Sequence, residues 1–221
     1  MMQQHCPRRH RWAGWLLALL LAGCAGPRAP DWAIDAQGAL TRHQRAVLLG
    51  DATAARAEFA RARDAVARTG RADLVAHAEL VRCAMRVAVL EFDDCPGFAA
   101  LAPEAGPALQ AYADYLAGQP TTAALLPPQH RALADRGAVG TLSSVSDPVS
   151  RLVAAGALLR RGQAGDAEIA LAIDTASAQG WRRALLAWLS LQEARALAAG
   201  DQATAAAARR RIELATTPAV R

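Results

Sequence analysis

Few side chains in this 221-residue sequence carry obvious chemistry, and their spacing limits what they can do. Cys83 and Cys95 stand twelve residues apart and suit a disulfide if the chain resides in an oxidising compartment. Two unrelated thiols are the alternative. A metal site is poor, because no histidine adjoins Cys95 and His77 lies six residues from Cys83. His43, His77 and His130 fall on separate segments, so nothing pairs a base with a nucleophile. Ser143, Ser144 and Ser146 read as turn residues. Asp93-Asp94 is too thin for a cation site without a ladder of further ligands. A cell-wall-active enzyme or small-ligand binder would need a cleft of carboxylates drawn from Glu79, Glu91, Asp93 and Asp94, and no pair has a spacing that demands one. GxSxG, HExxH and Walker-type loops are absent. The sequence therefore assigns no catalytic, cofactor-binding or metal residue.

The first cysteine-bearing segment reads differently. Arg8, Arg9 and Arg11 form a basic region ahead of the apolar run from Trp12 to Ala22. That run is short of the roughly 20 residues a membrane-spanning helix needs, and matches a secretory signal. It ends in Leu21-Ala22-Gly23-Cys24, which resembles the lipobox of bacterial lipoproteins. The resemblance implies that residues 1–23 are a cleaved signal peptide, that Cys24 is lipidated on sulfur and that its new α-amine is acylated. Several acyl chains exceed the two signals needed for stable anchoring. Ala25 in place of Asp implies transfer to the outer membrane, with the chain lipid-anchored on its periplasmic face. Residues 24–30, with Pro27 and Pro30, read as a short extended tether.

Removing residues 1–23 also changes the charge. All 25 basic residues are Arg, set against 20 Asp plus Glu, for a net +5. Three Arg leave with the signal and no acid does, so 22 face 20 in the remainder. A charge of +2 is no nucleic-acid footprint. Arg209-Arg210-Arg211 is one basic cluster, best read as a solvated face.

The elements that position these residues are helical. Ala supplies 57 residues and aromatics only 5%, a balance that favours helix and disfavours a sandwich or barrel. The pattern predicts helices over 34–49, 51–69, 73–88, 103–118, 128–136, 148–161, 165–179, 181–199 and 201–214. The Cys83–Cys95 bridge sets a condition on the third. Twelve residues of continuous helix would hold the pair about 18 Å apart, against roughly 5.5–6 Å between bridged Cα atoms. That helix must therefore stop near Ala88 to Leu90, and Glu91-Phe92-Asp93-Asp94 must turn the chain back. Expected core faces are Ala55, Phe59, Ala62 and Val66; Leu74, Ala78, Val81 and Met85; and Leu109, Tyr112 and Leu116. Trp181 and Trp188 are read as core.

Gly50-Asp51, Gly165-Asp166 and Gly200-Asp201 repeat one dipeptide between helical runs, and each is followed four residues after the Asp by Ala55, Ala170 or Ala205. The last two copies lie 35 residues apart. This resembles the tetratricopeptide repeat, whose helices meet through small residues after such a turn. Asp174 and Arg209 stand where the first copy has Phe59. The expectation is an all-α domain over 31–214, stacked antiparallel helical hairpins in a tetratricopeptide-like α-solenoid, with a subdivision near 119–147 and a flexible tail over 215–221. The expected function is a non-catalytic, lipid-anchored adaptor or assembly scaffold that binds another envelope protein, without cofactor or nucleic acid. Its groove would draw on the polar faces of the 51–69 and 181–199 helices.

Overall fold

The computed structural model describes residues 29–136 and 142–217. Residues 1–28, which include the expected signal peptide and Cys24, lie outside them, as do 218–221. The described residues are all-α: α1 Asp31–Leu49, α2 Ala52–Ala67, α3 Ala72–Ala88, α4 Pro96–Ala99, α5 Pro107–Leu116, α6 Pro128–Arg136, α7 Pro148–Arg160, α8 Asp166–Ala178, α9 Arg182–Ala198 and α10 Gln202–Thr216. No helix among them is long and apolar enough to cross a membrane. The last helix runs through 215–216, two residues into the expected tail.

Two of the three Gly-Asp turns share one geometry. Gly50 and Gly200 sit at φ 93° and 77°, the left-handed region that glycine enters without a Cβ penalty. Asp51 and Asp201 follow as N-caps, accepting from Ala54 N–H at 2.9 Å and Thr204 N–H at 3.0 Å. The third departs. Gly165 itself is the N-cap, extended at φ −90°, and its N–H donates to Glu168 at 2.9 Å. Asp166 becomes the first helical residue, so the register slips by one. Ala55 and Ala205 are buried, Ala170 is exposed, and Ile169 takes the buried place.

The predicted fourth helix begins late. Pro103-Glu104 belong to a separate 3₁₀ turn, and α5 starts at Pro107. Proline suits the first helical position because its missing N–H has no partner there to lose, and it disfavours helix in Gly106 before it. The buried face is then Ala111, Tyr115 and Leu116, with Leu109 and Tyr112 half-buried.

α3 is the centre. A single core face was expected, but ten of its residues are buried, from Val75 to Ala88. It packs against α1, α2, α5 and α7. It feeds two apolar clusters, a small one with Leu40, Ala62 and Val66, and a large one with Leu116, Leu152, Ile173 and Trp188. Its approach to α7 is closest at Gly156, where a Cβ would collide with the Val87 carbonyl. Chain ends close on the same centre. α9 packs on α1, and the Trp188 indole donates to the Ala88 carbonyl at 3.0 Å. That carbonyl belongs to the last residue of α3, where helical partners run out.

Candidate functional site

Cys83 and Cys95 are joined in a disulfide, with Cα atoms 5.8 Å apart. α3 ends at Ala88 and the intervening loop reverses the chain. Leu90 and Cys95 take positive φ, 61° and 47°, which a side chain disfavours. The loop is pinned to make that tolerable. Asp93 accepts from Cys95 N–H at 3.1 Å and pairs with Arg86 at 2.6 Å. Arg160 donates to the carbonyls of Asp93 and Leu116 at 3.3 and 3.2 Å, and its guanidinium lies over Phe92. Arg183 pairs with Glu91.

These partners answer the question of convergent carboxylates. Glu91 is engaged by Arg183, Asp93 by Arg86, and Glu79 by both Arg63 at 3.0 Å and Arg82 at 2.8 Å. Each acid meets different cations, and Asp94 is exposed. Ligand atoms of Cys83, Asp93 and Cys95 do lie within 4.8 Å of one another, but the sulfurs are bonded together and Asp93 holds Arg86.

The histidines stay apart. His43 is buried, its Nδ1 2.8 Å from the Ala55 carbonyl, its ring 5.4 Å from Phe59. Burial lowers its pKa; nearby Arg82, stacked over the same Phe59 ring at 4.9 Å, lowers it further, against the backbone bond. His77 is exposed on α3. His130 is buried on α6, with Nδ1 3.3 Å from the Tyr115 hydroxyl. Tyr112 and Tyr115 stack with centroids 6.1 Å apart, and His130 tilts against both. Desolvation pushes His130 down to about 4, with Asp147 opposing, and raises both phenols. His130 is therefore a neutral hydrogen-bonding group at ordinary pH. Ser143 and Ser144 lie exposed in a 3₁₀ turn.

His130 and Tyr112 line a cavity of about 450 Å³ among α3, α5, α6 and α7, with Gln44 of α1 at its edge. A second recess, about 690 Å³, runs between α8, α9 and α10. The polar sides of the 51–69 and 181–199 helices do not share a groove. α9 offers Gln192 and Arg195 to the second recess, while α2 offers Arg61 and Asp64, with Arg68 just past its end, to a recess against α1. Trp188 is core as expected; Trp181 is half-buried at the start of α9.

Sequence reasoning missed the His130–Tyr115 pair and the burial of Glu79. Arg82, three residues after Glu79, was the available signal for the latter. Among known proteins, no family model, no curated protein and no solved structure matches the chain.

Proposed function

We propose that this protein is a lipid-anchored adaptor or assembly scaffold on the periplasmic face of the outer membrane, which holds another envelope protein and performs no catalysis. The observation that carries this reading is the recess between α8, α9 and α10. Its lining includes Ala170, Ala196, Ala198 and Ala199, small residues that let a partner backbone approach closely. Asp166, Gln192, Arg195, Asp201 and Thr204 supply polar groups around them. Such a trough suits a helix or extended peptide. The ion-paired acids support the absence of chemistry, since a carboxylate committed to an arginine is a poor general base.

The finer architecture belongs to the same proposal: antiparallel hairpins stacked in the manner of a tetratricopeptide-like α-solenoid. Matched turns at Gly50-Asp51 and Gly200-Asp201 support it, and so does the packing of each of α7 to α10 on the next. The anchor rests on Leu21-Ala22-Gly23-Cys24.

A photo-reactive side chain at Gln192 or Thr204 tests the groove in living cells. One discrete adduct with an envelope protein is expected there, and none from Arg56 on α2. Adducts of equal yield at all three positions, or none at all, would sink the groove. Cys24→Ala tests the anchor separately. The variant should leave the membrane fraction, and unchanged partitioning would reject lipidation.

A further inference from the structure

We infer that the cavity among α3, α5, α6 and α7 binds an uncharged, largely apolar small molecule with one hydrogen-bonding end, seated against the Tyr112–His130 wall. This goes beyond the adaptor reading and does not depend on it. The volume of about 450 Å³ lies within the range of roughly 300–1,000 Å³ typical of small-molecule pockets. Its body is apolar: Val81, Ala84 and Met85 from α3, Leu109 from α5, Val149 and Val153 from α7.

Polarity enters from neutral groups around the body, Gln44, His77, Gln129 and Ser150, from one group in the wall and from two charges. Deep in the wall stands His130, buried and already bonded through Nδ1 to Tyr115. Desolvation keeps the ring neutral down to about pH 4, so it offers a hydrogen bond and no charge. Formal charges on the lining, Arg131 and Asp147, are opposite in sign, exposed and engaged with backbone. Arg131 donates to the Leu126 carbonyl at 2.8 Å, and Asp147 accepts from Ser150 N–H at 2.7 Å. An ion entering the apolar body would shed water without gaining a counter-charge there. A neutral aromatic or aliphatic body exchanges the same water for Met85, Leu109 and Val153, and an aromatic one also meets the tilted rings of Tyr112 and His130.

Two probes that differ by one sulfonate isolate this selectivity. The full chain carrying Cys24→Ser, which removes any acyl chain of its own as competitor, is titrated with N-phenylnaphthylamine and with anilinonaphthalene sulfonate, following probe fluorescence. Saturable one-to-one binding of the neutral amine is expected, with the sulfonate at least about tenfold weaker. Leu109→Trp should fill the cavity and weaken the amine by about tenfold or more, with helicity unchanged. Ala108→Trp blocks the same mouth from an exposed position that does not threaten folding, and should do likewise. Non-saturable binding, equal affinity for the two probes, or full affinity in Ala108→Trp would overturn the site.

Discussion

At the centre of the molecule α3 and α7 meet backbone to backbone, while at its C-terminal end α9 and α10 meet through alanine. α7 is buried without a break from Leu152 to Leu158; α10 buries only Ala205 and Ala208. Both regions are rich in small residues. In the centre a small residue is an aperture, Gly156 against Val87, within the large apolar cluster that holds Leu80, Met85, Leu152, Leu158 and Trp188. At the end it is a spacer, and the large side chains Leu197 and Leu214 face outward. Small residues thus set how near two helices come. Large ones decide whether that nearness becomes a core.

The largest expected effect is at Trp188, the side chain that closes the centre. Trp188→Ala should cost about 4 kcal/mol in denaturant unfolding, from lost burial, a cavity and an unmet Ala88 carbonyl. Leu214→Ala, also a truncation of a large apolar side chain but at the exposed end, should stay within about 0.5 kcal/mol. Comparable losses from both would erase the distinction. Gly156→Leu comes next, at about 3 kcal/mol, because the α3–α7 approach has no room to relax. Ala207→Leu on the open side of α10 is its counterpart and should be near neutral.

Acid separates the regions without mutation. His130 titrates near 6.5 when unfolded and is pushed down to about 4 in the fold. The unfolded chain therefore takes up the proton first. Stability contributed here is full above pH 6.5, declines as pH falls from 6.5 to about 4, and is flat below, a total of at most about 3 kcal/mol. Urea midpoints across that range should fall accordingly, and His130→Gln should flatten this part of the curve. Lowering the pH from 7 to 5 should then speed hydrogen exchange in α5 and α6 by a larger factor than in α9 and α10. The smallest effect is the sharpest comparison. Asp51→Ala removes an N-cap and should cost about 1 kcal/mol, whereas Asp166→Ala, at the same dipeptide, should cost less than half of that in a thermal melt.

Much of the fold was legible because local rules governed it. The Cys83–Cys95 spacing forced α3 to end near Ala88, and it does. Glycine stops and proline starts gave the helices after Asp147 to within a residue or two. Gly165-Asp166 was not legible as the exception, because Glu168 captures the Gly165 N–H and shifts the cap by one position. Burial of α3 on nearly every side was also hidden. Its partners α1, α5 and α7 come from other parts of the chain, and Glu79 sits inside with two cations, Arg82 on its own helix and Arg63 sixteen residues earlier on α2. The site suffered most from this limit. His130 and Tyr115 meet across a proline-punctuated stretch that no periodicity spans, so the wall of the cavity had no local signature.

The bond from Trp188 to the end of α3 has a consequence for timing. It joins positions 100 residues apart, so closing it costs about 4 kcal/mol of chain entropy before any contact is repaid. Hairpins such as α1–α2 can form as soon as their own residues are available, on the fast scale of local contacts. The centre cannot. The end of α3 at Ala88 stays uncapped until Trp188 has been synthesised and delivered. Contact order thus divides one structure into a quick rim and a late middle, and the interval between them is when this chain is most exposed to aggregation or to a chaperone.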